Sequence, residues 1–232
     1  MVYSNFSVSR LVENKFVSVK SESTGTYHHG DLRRALLDAA DVVLEEQGMQ
    51  GFTLRACARQ AGVSHAAPAH HFKDIQGVLR AVAERGFARL VAAIRTELAA
   101  ARGDLEAEMR ATARAYVGFA EAHPEHFRIM FRADLVAFDP ASRPAAVNET
   151  FMELTNVILR QRNDAEAQPG EVFVQRTPEQ VNDILLGWCY VHGYAHLKAE
   201  GQLTLVPEDD HQTQMEQAAT RLSGLIRGLE AG

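Results

Sequence analysis

The chain has 232 residues, the length of one or two domains, and 46% of them are apolar, which is enough for a substantial buried core. No stretch approaches about 18 consecutive apolar residues and no signal peptide is evident, so we expect neither a membrane-spanning nor a secreted protein. Cys57 and Cys189 lie far apart and form no disulfide framework, which predicts reduced thiols in a cytoplasmic protein.

The N-terminal end differs in character from the rest of the chain. Residues 1–25 show no sustained apolar period and end in SESTGT, so they are interpreted as a flexible arm. From Asp31 the apolar residues follow the 3.6-residue period of an amphipathic helix. Gly48 is predicted to end this helix, because glycine takes a left-handed conformation at little cost.

The next stretch, residues 53–72 (TLRACARQAGVSHAAPAHHF), predicts two short helices around a tight turn at Gly62. Thr53 can cap the first of them through its hydroxyl group. Ser64 is a plausible cap for the second helix, although Pro68 would then remove that helix's first internal hydrogen bond. We favour His65 as the cap, or a kink, because His65 would leave the proline in the free first turn. Two helices in this arrangement form a helix-turn-helix, which places its second helix in a DNA major groove.

The remaining helices follow from the same kind of apolar pattern. A capping box and a proline predict a helix start at Thr177–Gln180, and the polar residues 162–176 predict a loop. No convincing strand appears, so the predicted fold is all-α with about nine helices. The helices predicted after the helix-turn-helix cover residues 76–101, 105–122, 124–131, 147–158, 177–197 and 210–229.

These patterns divide the chain into an arm, a DNA-binding domain at residues 26–75 and a larger helical domain at residues 76–232. The DNA-binding domain carries five basic and six acidic side chains, and the whole chain has a net charge of −6. DNA binding therefore depends on which face carries the positive charge, and not on bulk charge.

Contacts to DNA are predicted from both short helices and the turn. Arg55 and Arg59 lie four residues apart on one helix face, which suits backbone phosphates, and Ala66 and Ala67 are short enough to bring the backbone close to the bases. The alternative is that these residues are solvated side chains on a small helical domain, and that His71 is structural. The predicted contact residues are Thr53, Arg55, Arg59, Ser64, His65, Ala66, Ala67, His70, His71 and Lys73.

A second candidate site lies in the larger domain, where Trp188 and His192 share a helix face. With other apolar side chains they could line a ligand pocket in which His192 is the polar group. The alternative is an ordinary core that contains one hydrogen-bonded histidine. The predicted pocket residues are Tyr116, Phe119, Phe127, Met130, Phe151, Trp188 and His192.

The sequence contains two pairs of histidines at metal-binding spacing but no catalytic motif. His123 with His126, and His192 with His196, have spacings that could bind a metal ion, but no cysteine or carboxylate pair completes either set along the sequence. We therefore expect no metal and no other cofactor. Because the sequence has no phosphate-binding loop, nucleophile elbow or His-Glu-x-x-His motif, we also expect no enzymatic activity.

These features make the chain similar to the TetR family of bacterial transcriptional regulators. The resemblance covers roughly residues 27–230 and is carried by GDLRRALLDAADVVLEEQG, GFTLRACARQAGVS and HHF. Trp188, His192 and Gly193 in GWCYVHGYAHL resemble a subgroup with a C-terminal Trp-His-Gly signature. The resemblance implies a homodimer that binds a double-stranded DNA operator and a small-molecule effector, with the last two helices forming the subunit interface. The interface residues expected are Leu186, Cys189, Gly193, Leu197, Met215, Leu222, Leu225 and Ile226.

The sequence departs from the family pattern at two places. Family members usually carry Leu-Tyr where this chain has Pro68 and Ala69, and a lysine where it has Ile75. Two common phosphate contacts are therefore absent. We expect a repressor released from a palindromic operator by a small apolar molecule. The alternative is a helical ligand-binding dimer that has lost specific DNA binding.

Overall fold

The computed structural model describes residues 29–139, 142–168, 176–204 and 207–228. These residues form α-helices and no strand, as predicted. The helices are α1 (His29–Gly51), α2 (Leu54–Gln60), α3 (Ala67–Phe72), α4 (Ile75–Ala101), α5 (Leu105–Ala122), α6 (Pro124–Met130), α7 (Ala145–Gln161), α8 (Pro178–Ala199) and α9 (His211–Ile226). The predicted arm at residues 1–25, part of the predicted loop (residues 169–175) and the predicted end of the last helix at Leu229 lie outside the described residues. None of the described helices is long and apolar enough to cross a membrane.

Several helices begin where a side chain can satisfy a backbone N–H group that has no partner in the helix. The Thr53 hydroxyl oxygen accepts a hydrogen bond from Ala56 at 3.0 Å, and the Asp74 carboxylate accepts one from Gly77 at 2.7 Å. The predicted capping box at Thr177 is confirmed, because the Thr177 side chain accepts from Gln180 and the Gln180 side chain accepts from the Thr177 backbone.

The turn between α2 and α3 has the hydrogen-bond pattern that a left-handed glycine permits. Gly62 has φ 67°, its N–H donates to the Arg59 carbonyl at 3.1 Å, and the Val63 N–H donates to the Ala58 carbonyl at 3.0 Å. This confirms the predicted role of Gly62.

One local prediction is wrong. Neither Ser64 nor His65, the favoured candidate, caps α3: the capping position is Ala66, which offers no side-chain hydrogen bond. Pro68 is then the second helical residue, where a backbone N–H would have no partner within the helix, so the proline is accommodated there. The predicted end of the first helix at Gly48 is confirmed: Gly48 has φ 60° and ψ −172°, outside the helical region, and only a short turn continues beyond it to Gly51.

The long helix α4 is the central element of the fold. It packs against α1 and α3 of the helix-turn-helix domain and against α5, α6 and α7 of the larger domain. One continuous apolar core therefore extends from the helix-turn-helix into the larger domain, through residues such as Leu44, Val82 and Leu90. The helix α8 is less enclosed, with only Ile184, Val191 and Ala195 buried.

Candidate functional site

The surface predicted to contact DNA is exposed to solvent along α2, the turn and the outer side of α3. Arg55 and Arg59 project from α2, and neither they nor Lys73 form an ion pair with any acidic side chain that the structure describes. Of the ten predicted contact residues, eight are exposed, whereas Ala67 and His71 are half-buried. The surface thus offers positive charge that is not paired with an acidic side chain in the part of the chain that the structure describes.

The helix α3 presents small side chains to solvent. Pro68 and Phe72 form its buried side, and the Arg33 guanidinium lies 4.9 Å from the centroid of the Phe72 ring. Ala69, at the position where the resemblance implies a tyrosine, is exposed, as is His70. The outer side of α3 therefore allows close approach of its backbone but provides few long donors.

In the larger domain, Tyr116 on α5 and His192 on α8 form a polar contact within an aromatic cluster. The Tyr116 Oη atom lies 3.0 Å from His192 Nδ1. Burial raises the pKa of Tyr116, and burial together with the nearby His196 lowers the pKa of His192. The phenol is therefore protonated and donates its hydrogen to Nδ1 of a neutral imidazole.

Trp188 adds a donor to the same cluster. Its indole Nε1 is buried and has no hydrogen-bond partner among the described residues. The nearby Trp188 indole lowers the pKa of Tyr116 and so opposes the effect of burial. Its Nε1–H nevertheless does not meet the geometry of a hydrogen bond to the phenol. An unpaired buried donor costs about 1–3 kcal/mol, so an acceptor atom on a ligand would be stabilised here.

Five of the seven predicted pocket residues come together. Ring centroids lie 5.4 Å apart between Phe127 and His192, 6.1 Å between Trp188 and His192, and 5.2 Å between Phe151 and Trp188. Tyr116 joins them through its contact with Phe127 at 5.8 Å. These separations are typical of packed aromatic pairs.

The other two predicted pocket residues pack elsewhere, and one member of the cluster was missed. Phe119 lies against the His123 ring at 5.3 Å, and Met130 fills the space beside Gly86. Phe131 was not predicted, yet its ring centroid lies 4.5 Å from that of His192. The predicted helix at residues 124–131 included Phe131, but α6 ends at Met130, so helix periodicity does not give the direction of the Phe131 side chain.

A cavity that borders the cluster at Trp188 is too small for a ligand. The cavity between α5, α7 and α8 measures only about 20 Å³, room for about one water molecule. Trp188 is the one predicted pocket residue among its lining residues. Ligand pockets usually measure about 300–1,000 Å³, so a small-molecule effector would have to displace core side chains or α8 itself.

An apolar face remains uncovered on α8 and α9 in the single chain. Leu186 and Leu197 are 42% and 40% exposed, and Leu225 on α9 is 65% exposed. Cys189 is exposed between them, and a Cβ atom added to Gly193 would meet nothing within 4 Å. Large exposed apolar side chains in a row mark an interaction surface.

The other predicted interface residues differ in burial. Met215 and Leu222 are buried within the chain itself, and Ile226 is half-buried. Their part in a subunit interface stays a prediction.

Comparisons with known proteins match both parts of this architecture. A family model described as "Bacterial regulatory proteins, tetR family" matches residues 36–82, and one described as "Tetracyclin repressor-like, C-terminal domain" matches residues 109–222. The chain belongs to the TetR family. Its two matched domains are those of a ligand-responsive, DNA-binding transcriptional regulator.

Solved structures share the TetR-family fold over most of the chain. A protein with unknown function from Rhodococcus sp. RHA1 is 34% identical, with a TM-score of 0.62 over 84% of this chain and 96% of that one. A putative TetR-family transcription regulator from Shewanella sp. PV-4 is 20% identical, with a TM-score of 0.57 over 83% and 95%. A TetR protein from Acinetobacter baumannii AYE in complex with minocycline is 17% identical, with a TM-score of 0.57 over 85% and 97%. No functionally curated protein matches the chain.

Proposed function

We propose that this TetR-family protein is a homodimeric repressor that binds a palindromic operator and is released by a small, mainly apolar molecule. The observation that carries the proposal is the exposed surface of α2 and α3, where Arg55, Arg59 and Lys73 have no acidic partner among the described residues. Such cations release counterions when they meet phosphates, which gives affinity without sequence specificity.

Sequence recognition would come from the outer side of α3 and the preceding turn. The exposed Ala66 can contact thymine methyl groups, and His65 and His70 can donate to phosphates or to guanine acceptors. Two copies of α3, about one helical turn of DNA apart, would enter successive major grooves of a palindromic site.

Replacing Arg55 or Arg59 by alanine should lower affinity for the operator and reduce the salt slope of binding by about 1 for each lost phosphate contact. The measurement is operator binding at several salt concentrations, after footprinting locates the site upstream of the gene. Arg102→Ala is the matched control, because this exposed arginine lies beyond the far end of α4.

The opposite outcome has a clear meaning. If the purified protein protects no upstream DNA at low salt and Arg55→Ala behaves like the wild type, the repressor proposal is wrong. Retention of genomic fragments that is weak, independent of salt and blind to sequence would favour the alternative, a ligand-binding dimer that has lost specific DNA binding. The small side chain of Ala69 gives that alternative its motivation.

The effector would enter the aromatic cluster around His192. Apolar rings supply most of the contact area, and the unpaired Trp188 Nε1 would donate to an acceptor atom of the molecule. Because the cavity of about 20 Å³ is far too small, the bound state must differ in the position of α8 or of core side chains. The effector can shift the equilibrium between the DNA-binding and the released conformation only by its difference in affinity for these two conformations.

The dimer would form through the uncovered apolar face of α8 and α9. Leu225→Glu should produce monomers that no longer bind the operator, because it places a charge on the most exposed apolar side chain of that face. Sedimentation velocity measures the change, and Ala99→Glu is the control, since it adds the same charge to an exposed position on α4. A Leu225→Glu variant that stays dimeric would remove α9 from the interface.

A further inference from the structure

Two histidines and a glutamate meet where the helix-turn-helix domain joins the larger domain. Glu45 lies on α1, His123 lies at the corner between α5 and α6, and His126 lies on α6. Each offers a ligand atom, and these atoms all lie within 4.8 Å of one another. The three residues come from distant parts of the sequence, and the packing of α1 against α6 brings them together.

His126 is the least accessible of the three and has an unused nitrogen. Its side chain is fully buried, and its Nε2 lies 3.0 Å from Asp41 Oδ1. A carboxylate only accepts hydrogen bonds, so this contact places the imidazole hydrogen on Nε2. Arg89 Nη1 also lies 3.3 Å from Nε2, but a guanidinium cannot accept that hydrogen.

The opposite nitrogen, His126 Nδ1, is buried and has no hydrogen-bond partner among the described residues. His123 Nδ1 is also buried without a partner, and it lies 3.9 Å from Glu45 Oε1, beyond hydrogen-bond reach. Buried nitrogens are normally paired, so two unpaired imidazole nitrogens in the group that also includes the Glu45 carboxylate are what a ligand site would show.

We propose that Glu45, His123 and His126 bind a divalent transition-metal ion, Zn²⁺ in the first instance. Two imidazole nitrogens and one carboxylate oxygen are a common zinc donor set that leaves one coordination position open. Mg²⁺ and Ca²⁺ prefer oxygen donors, so the two histidines select against them.

The hydrogen-bond partners of His126 are also those expected of a metal-binding histidine. Histidines that bind metals usually donate their other ring N–H to a carboxylate, which fixes the tautomer and the ring orientation. Asp41 accepts that hydrogen bond and is itself held by Arg85 at 2.9 Å and Arg89 at 2.7 Å. The lone pair of Nδ1 is then available to the ion.

The distances require only a small adjustment. Ligand atoms around a tetrahedral zinc ion lie about 3.4 Å apart, given bonds of about 2.0–2.1 Å. The Glu45 side chain is 53% exposed and that of His123 is 34% exposed, so both can move to close the gap. His126 is held in place and would act as the fixed ligand.

A bound ion would tie α1 of the DNA-binding domain to α6 of the larger domain. This gives the protein a second ligand site, separate from the aromatic cluster. The site does not depend on the repressor proposal, because zinc binding can be measured without DNA or effector.

The test is titration of the metal-stripped full chain with Zn²⁺ against a chromophoric chelator. We expect one ion per chain, with Glu45→Gln and His123→Gln each weakening zinc affinity about tenfold or more. Glu46→Gln is the matched control, because it makes the same change at the next, exposed position of α1 and should bind like the wild type. Co²⁺ should give the visible spectrum of a four-coordinate ion in the wild type and in Glu46→Gln, but not in Glu45→Gln or His123→Gln.

His126→Gln is a poor test by itself, since a fully buried substitution is expected to disturb folding. Circular dichroism should show wild-type helix content for the Glu45 and His123 variants, which lie at partly exposed positions. The proposal is overturned by an absence of stoichiometric zinc binding, or by binding that both variants leave unchanged. Zinc affinity that falls with His196→Gln instead would place the ion on α8 and also overturn it.

Discussion

The Gly77→Ala variant should lose the native packing of α3 against α4, and with it operator binding. A Cβ atom on residue 77 would lie 1.9 Å from the carbonyl oxygen of Phe72, and this backbone atom cannot move without displacing α3. Overpacking usually costs about 1–3 kcal/mol, and a contact between two backbones belongs at or above the upper end of that range. Denaturant unfolding measures the loss.

Gly118→Ala is the matched control for this prediction. Gly77 is in the first turn of α4, whereas Gly118 is in the interior of α5, where it is exposed and a Cβ atom would meet nothing within 4 Å. Alanine in place of glycine should stabilise α5 by up to about 1 kcal/mol through helix propensity. Equal stability of the two variants would mean that α3 does not pack as closely on α4 as the structure shows.

The Asp41→Asn variant should lose about 3–5 kcal/mol of stability, the usual cost of removing one partner from a buried ionic network. The Asp41 side chain is only 8% exposed and contacts Arg85, Arg89 and His126. Burial by itself raises the pKa of Asp41, but the hydrogen bonds from His126 and Arg85 outweigh it and hold the pKa below its ordinary value. The carboxylate is therefore ionised at neutral pH, and its removal leaves two guanidinium groups without this partner.

The Asp38→Asn variant shows whether the loss of stability comes from the burial of the carboxylate or from the loss of a negative charge alone. Asp38 pairs with the same arginine, Arg85, at 2.6 Å, but its side chain is 60% exposed. Exposed ion pairs contribute about 0–1 kcal/mol, so this variant should unfold close to the wild type. Chemical denaturation of both variants without metal checks the difference, and a similar loss for both would contradict the role given to burial.

Both predictions concern the junction between the DNA-binding domain and the larger domain. Gly77 joins α3 to α4, and Asp41 joins α1 to α4 and α6. In the proposed dimer, a rigid junction would transmit a conformational change around His192 to the two copies of α3 and alter the spacing between them.

The local features of the protein were predictable from the sequence because they depend on residues within about four positions of each other. The cap at Thr53, the glycine turn at Gly62 and the capping box at Thr177 were all predicted and are present. The wrong cap for α3 is also a local failure. Ser64 and His65 were both candidates, but α3 begins only at Ala67, with Ala66 at the capping position.

The composition of the aromatic cluster depended on tertiary packing. Helix periodicity shows that a side chain is on an apolar face, but it does not show which neighbour that face meets. Phe119, Met130 and Phe131 are therefore equivalent in the sequence, yet only Phe131 lies beside His192. The near absence of a cavity could not be predicted either, since it depends on how side chains from three helices interdigitate.

The sequence by itself determined that the chain is all-α, where its helix-turn-helix lies and which charges that motif exposes, because periodicity and capping are encoded locally. Tertiary structure alone decided which distant groups meet. The spacing of His123 and His126 was visible in the sequence, but no carboxylate completed the set until α1 packed on α6 and brought Glu45 within reach. A ligand set spread over three helices has no fixed spacing along the chain, so only the fold could bring it together.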